Sequence, residues 1–169
     1  VAHKVCPAIA AGVPVILKPS EKTPLTAFLL AELLYEAGLP KHMLQVIVGG
    51  IDDVVTPLIE DPRVEVVSFT GGTSVGKAIA SRAGYKKVCL ELGGNSPLII
   101  HDDADLDLAV KLAGEGCFRN SGQRCTAVKR VLVDEKIHDA FVEQFVPFAA
   151  TYVCGDPEDE ATRVGTVID

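Results

Sequence analysis

The sequence predicts an α/β fold with a mostly parallel sheet, and three observations carry that expectation. Short apolar runs of strand length alternate with longer helical patterns along the 169 residues. Turn residues separate each run from the helix that follows, the layout that right-handed crossovers between parallel strands require. The alternation then changes character at Gly93-Gly94, which predicts a boundary between one domain over 1–92 and another over 93–169.

The elements are expected as follows. Residues 2–12 form a helix that ends at Gly12, with Pro7 near its start. Val13 to Lys18 is a strand broken by Pro19-Ser20. Thr23 is placed to cap the next helix, and Pro24 suits its first position because the missing N–H has no partner there. Leu25, Phe28, Leu29, Glu32, Leu33 and Glu36 form a stripe at helical spacing, and Gly38 ends it. Leu44 to Val48 is a strand, Asp53 to Glu60 a short helix stopped by Asp61-Pro62, and Val64 to Thr70 a strand. Helix Val75 to Gly84 and strand Lys87 to Leu92 follow. Beyond Gly94 come strand Pro97–Ile100, helix Ala104–Phe118, strand Ala127–Val133 and helix Lys136–Val146, then an acidic, turn-like tail.

A hydrophobic share of 48% is ample for a core, which must be built from Val, Ile, Leu and Ala because aromatics are few. A net charge of -7 opposes nucleic-acid and anionic-membrane partners, which need clustered Lys and Arg. No apolar run reaches the roughly 20 residues that span a bilayer, and the first residues lack a signal-peptide layout. Five cysteines without C-x-x-C spacing oppose a disulfide framework or a metal site, and fit a reducing, cytoplasmic compartment. Cys6, Cys89 and Cys117 are expected as small buried hydrophobes.

Chemistry concentrates in Asn120-Ser-Gly-Gln-Arg-Cys-Thr126. There Cys125 ends a small polar loop, and Arg124 beside it favours the thiolate. Glu91, at the end of a strand just before Gly93-Gly94, is a candidate base. A soft nucleophile with a base suits covalent chemistry on a carbonyl. The alternatives are an inert thiol at Cys125 and a salt-bridged strand end at Glu91.

Phe69-Thr-Gly-Gly-Thr-Ser-Val-Gly76 runs from a strand into a helix, where free amides and the helix dipole favour a phosphate. It is not the strict G-x-G-x-x-G pattern, and a tight turn with positive φ explains it equally. Leu17-Lys-Pro-Ser-Glu21 lies at another strand's carboxyl end, where parallel sheets hold ligands; solvated loop charges are the plain alternative.

Taken in order, these motifs with Leu90-Glu-Leu-Gly-Gly-Asn95 and Gly122-Gln-Arg-Cys125 resemble the aldehyde dehydrogenase superfamily over the whole chain. The resemblance implies a parallel Rossmann-type sheet followed by the start of an α/β catalytic domain. It implies Cys125 as nucleophile and Glu91 as general base for NAD-dependent oxidation of an aldehyde, through a thiohemiacetal and a thioester. Lys18 and Glu21 would meet the adenosine ribose. Gly72 and Val75 would meet the pyrophosphate and adenine side, and Ser20, Gly71, Leu92 and Gly93 the cofactor as well. A carboxylate at Glu21 accepts from a free 2′-hydroxyl and repels a 2′-phosphate, which favours NAD over NADP.

Asn120–Arg130 and Gly165-Thr-Val-Ile-Asp169 are similar to the phosphonoacetaldehyde dehydrogenase subgroup. That implies an anionic aldehyde gripped by Arg124 and Arg119, with a structural role for Arg124 as the competing reading. Non-phosphorylating glyceraldehyde-3-phosphate and general aldehyde dehydrogenases share much of the pattern. The resemblance further implies the central part of a longer enzyme that assembles as a homodimer or homotetramer, and a fragment without turnover when isolated. A nucleotide-binding remnant and a cysteine–histidine hydrolase are the readings from other classes.

Overall fold

The computed structural model describes residues 1–168, so Asp169, the last residue of the Gly165–Asp169 motif, lies outside the described residues. The chain divides into two compact units, the first Val1–Glu91 and the second beginning at Leu92. Among the described residues every strand pair is parallel, and each pair is formed by consecutive strands.

In the first unit α1 (Ala2–Ala10) is followed by β1 (Val15–Leu17), α2 (Leu25–Glu36) and β2 (Leu44–Val46). Val15 pairs with Leu44 and Leu17 with Val46. Val5, Ala31 and Leu44 are buried together, with Ile9, Leu34, Tyr35 and Leu39 packed around them. The Tyr35 hydroxyl donates to the Leu44 carbonyl at 2.5 Å, which ties α2 to β2.

Two expectations fail in this region. Thr23 makes no side-chain cap; Pro24, already in helical backbone, precedes α2, and its carbonyl accepts from the N–H groups of Ala27 and Phe28. The expected stripe is not the packing face either. Ala27 and Ala31 are the buried residues of α2, while Leu25, Leu29 and Leu33 are 77%, 56% and 53% exposed. Small alanines let the helix lie close to β2, and the adjoining Leu34 and Tyr35 complete that contact.

The second half of this unit carries α3 (Thr56–Glu60), β3 (Val66–Thr70), α4 (Thr73–Arg82) and β4 (Lys87–Glu91). Ile59, Ile79 and Ala83 form its core, with Val67, Phe69 and Leu90 supplied by the strands. The register runs from Val66 opposite Lys87 to Thr70 opposite Glu91. Cys6 and Cys89 are exposed and Cys117 is partly exposed, which overturns the expectation of buried thiols. Cys6 follows the buried Val5 on α1 and turns outward with its helix. Cys89 sits in a strand whose partner side is met by Leu90 instead.

The second unit is built from β5 (Ser96–Ile100), α5 (Leu106–Phe118), β6 (Val128–Val133) and α6 (His138–Ala150). Ile100, Ala109, Val110, Ala113 and Phe141 make one core, with Leu98, Val131, Phe145 and Phe148 packed on it. Asp105 caps α5 by accepting from the Leu108 N–H at 3.0 Å. The ladder between β5 and β6 shifts register after Ser96: Ser96 pairs with Val128, but Pro97 with Arg130. Pro97 has no N–H to give, so a bulge at this place costs the ladder little. The extra residue opposite it is Lys129.

Candidate functional site

The nucleotide-side residues occupy strand ends of the first unit. Lys18 and Glu21 are brought together as an ion pair of 2.5 Å just beyond β1. The hydrogen bond from Lys18 holds the Glu21 carboxyl below the usual glutamate range, so it is ionised at neutral pH. Ser20, between them, accepts from the Lys22 N–H through its Oγ at 3.3 Å.

Gly71 and Gly72 join β3 to α4. Neither has positive φ, so the tight-turn explanation for this glycine pair does not apply. Gly72 has φ -66 and ψ 145, which any residue adopts, and a Cβ there would meet nothing within 4 Å. Within the chain, neither backbone nor packing demands glycine at this position. It precedes the first amides of α4 without any side-chain cap. Val75, on the first turn, is 47% exposed. Such an open, uncapped helix start fits the pyrophosphate of a dinucleotide, which would take both the free amides and the space.

The Gly71 N–H donates to the Glu91 carbonyl at 3.0 Å, so the helix start and the end of β4 are neighbours. The Glu91 side chain is exposed, and among the described residues it has no ion pair or hydrogen bond; the salt-bridged alternative therefore falls. Leu92, partly exposed, and Gly93, exposed, follow at the start of the second unit.

Cys125 is exposed and sits in a loop of unusual backbone. Asn120, Ser121 and Gly122 have φ of 59, 55 and 68, three left-handed residues in succession. For Asn120 and Ser121 that conformation costs roughly 1–2 kcal/mol each, and it persists only because the surroundings impose it. Those surroundings are visible. The Gln123 N–H donates to the Asn120 carbonyl at 3.0 Å, and the Asn120 amide donates back to the Gln123 carbonyl at 3.4 Å. Lys129, the bulge residue of β6, reaches the Gly122 carbonyl at 3.0 Å. The Gln123 side chain holds the segment ahead of the chain's end, donating to the Thr166 carbonyl at 3.2 Å and accepting from the Ile168 N–H at 2.8 Å. On the other side Gly94 approaches the backbone of Cys125: a Cβ at Gly94 would lie 2.7 Å from the Cys125 carbonyl oxygen.

Arg124 has a defined place in this assembly. Its Nη2 donates to the carbonyls of Glu115 and Gly116, at 3.3 and 3.2 Å, near the end of α5. Its Nε is buried without a partner among the described residues. Arg119, at the first position of the short turn after α5, is exposed. Sequence reasoning named Cys125, Arg124 and Arg119, but missed Gly94, Gln123 and Lys129. Pro97, which has no N–H for the ladder, was the one signal available for the bulge at Lys129; partners more than 40 residues from Gln123 left none.

Comparison with known proteins gives the family. The model of the aldehyde dehydrogenase family matches residues 1–169. The 3-sulfolactaldehyde dehydrogenase of Priestia aryabhattai is 46% identical over 168 residues, covering 99% of this chain and 35% of that protein. Retinaldehyde dehydrogenase 3 of Rattus norvegicus is 45% identical, over 99% of this chain and 33% of its own length. Among solved structures, an E. coli NADP-dependent enzyme superposes with a TM-score of 0.94 at 40% identity, over 98% of this chain and 35% of its own. A Sinorhizobium meliloti NAD-dependent aldehyde dehydrogenase gives 0.92 at 42% identity, over 98% and 33%. The chain thus spans about a third of the length of the proteins it matches.

Proposed function

The chain belongs to the aldehyde dehydrogenase family, and from that premise we propose that it carries the nucleophile, the base and much of the dinucleotide site of an enzyme that oxidises an aldehyde to its acid. The observation that supports this best is the loop of Cys125: an exposed thiol held on a strained backbone by ties from several elements. Such pre-organisation is what a nucleophile needs and an inert thiol does not.

Cys125 Sγ attacks the aldehyde carbon, and the carbonyl π pair moves to oxygen. The Cys125 backbone N–H is one donor for that oxyanion. A nicotinamide held at this site would supply the two-electron acceptor for the hydride of this carbon. A thioester on Cys125 results. Glu91 takes a proton from water, the hydroxide adds to the thioester carbon, and the C–S bond breaks to release acid and thiolate. Lys18, Ser20 and Glu21 hold the adenosine ribose, and Gly71, Gly72 and Val75 hold the pyrophosphate and adenine side; Leu92 and Gly93 line the nicotinamide end. Glu21, kept ionised by Lys18, repels a 2′-phosphate, and NAD is the preferred cofactor. Residues 1–92 belong to the cofactor domain and 93–169 to the catalytic domain of a cytoplasmic homo-oligomer.

The substrate is an anionic aldehyde such as phosphonoacetaldehyde. The name of the Priestia relative, which specifies a sulfonated aldehyde, supports an anion. Arg119 is the better placed of the two arginines to meet it, because Arg124 is engaged by main-chain carbonyls. That engagement also favours a second reading, a general aldehyde dehydrogenase, which the retinaldehyde relative equally resembles by name.

The test is reduction of NAD by the protein that carries this chain, with phosphonoacetaldehyde against a neutral aldehyde of similar size. Turnover favouring the phosphonate supports the first reading, and equal turnover the second. Cys125→Ala is expected to abolish oxidation while NAD binding, followed by fluorescence titration, is retained; persistent turnover would overturn the assignment.

A further inference from the structure

Gln123 stands two residues before the nucleophile, yet its side chain reaches away from the loop. Nε2 donates to the Thr166 carbonyl at 3.2 Å, and Oε1 accepts from the Ile168 N–H at 2.8 Å. A carbonyl at one residue and an N–H two residues later face the same side of an extended segment, the arrangement a neighbouring strand would pair with. The carboxamide matches it with one donor and one acceptor. A carboxylate lacks the donor, and an aliphatic side chain lacks both.

The main chain of the same residue is tied as well. Its N–H and carbonyl both bond to Asn120, across the left-handed residues Ser121 and Gly122. Gln123 is therefore where the strained turn and the 166–168 segment are fastened together. Arg124 and Lys129 hold the loop from α5 and β6. Neither secures it on this side.

Resting on the reading of Cys125 as nucleophile, we propose that Gln123 is a positioning residue: its carboxamide clamps the 166–168 segment and so fixes the backbone that aims the Cys125 thiol. At the lower end for exposed hydrogen bonds, about 0.7 kcal/mol each, loss of the pair should reduce productive alignment by roughly tenfold.

The experiment uses Gln123→Leu, Gln123→Glu and Ile168→Pro in the protein that carries this chain. Ile168→Pro removes the N–H from the far side of the clamp without touching the loop. Two readouts are taken: hydrogen exchange of the amides at 122–126 (and at 168 in the Gln123 variants), and kcat and KM for the aldehyde and for NAD. The expected result is faster exchange at 122–126 in Gln123→Leu and in Ile168→Pro. With it goes a fall of about tenfold in kcat at unchanged KM for NAD. Gln123→Glu keeps the acceptor for Ile168 and falls between these and the parent. The double variant Gln123→Leu with Ile168→Pro adds little to either single change, because both break one clamp.

Unchanged exchange at 122–126 in Ile168→Pro would overturn the proposal, as would additive losses in the double variant. Should Gln123→Leu fail to fold, Ile168→Pro and Gln123→Glu still decide it. Absence of aldehyde oxidation in the parent protein would remove the proposed function instead, and the exchange experiment would still test the clamp.

Discussion

Arg124 shows how much one contact changes a residue's meaning. From sequence, a guanidinium beside a nucleophile suggests an anion grip. In the fold its Nη2 meets the carbonyls of Glu115 and Gly116, in the last turn of α5. Arg124→Leu is expected to lower stability by about 2 kcal/mol, the scale of hydrogen bonds from a charged donor. It should reduce kcat/KM for anionic and neutral aldehydes by the same factor. Thermal melts and paired kinetics check both, and a loss confined to anionic aldehydes would return Arg124 to the substrate. Gly122 makes the complementary case. Its φ of 68 and the Cys117 carbonyl, 3.0 Å from where a Cβ would sit, both oppose a side chain. Gly122→Ala should therefore destabilise by roughly 1–2 kcal/mol in denaturant titration, while Ser121→Gly, which relieves a left-handed serine, should not.

At the scale of elements, α5 is the support of the loop: its last turn accepts from Arg124 and its first turn is closed by Asp105. Asp105→Ala is expected to cost about 1 kcal/mol, measured as a shift in the denaturation midpoint, with little effect on KM. The aspartate-rich start of this helix was legible in the sequence, as were the strand runs and the crossover helices between them. The face of α2 was not. Its apolar residues surround the helix, so periodicity alone could not choose a side; the choice fell to Ala27 and Ala31, whose small size admits β2. The predicted cap at Thr23 failed for a related reason, because Pro24 already supplies helical backbone before α2 begins. In the candidate site, Cys125, Glu91 and the glycine turn could be read from motif order. The Gln123 clamp could not, because it joins residues distant in sequence through main-chain atoms, which leave no mark on residue type.

At the scale of the whole chain, each of the three sheets among the described residues has two strands, fewer than a sheet usually needs to stand alone. The stability of each pair must come from the helices packed on it. On α2, Leu25, Leu29 and Leu33 are four residues apart, so they share one exposed face. Contiguous exposed leucines promote association in water. The 169-residue chain on its own is expected to self-associate, and replacing these three leucines by glutamate should lower its light scattering at equal concentration. Equal scattering from both forms would show that this face is not the cause. No helix among the described residues is long and apolar enough to cross a membrane.

The parallel pairs also bear on how the chain acquires its structure. Val15 meets Leu44, Val66 meets Lys87 and Ser96 meets Val128. Each strand thus finds its partner after a single intervening helix, within about 35 residues, and loop-closure entropy rises only slowly over that range. Parallel sheets with distant partners fold slowly because that closure precedes any reward. Here each pair can close before the next has been synthesised, at the ~5–20 residues per second of a ribosome. The Cys125 loop gains its ties at Thr166 and Ile168 only after β6 has been made, since both residues follow that strand in the sequence.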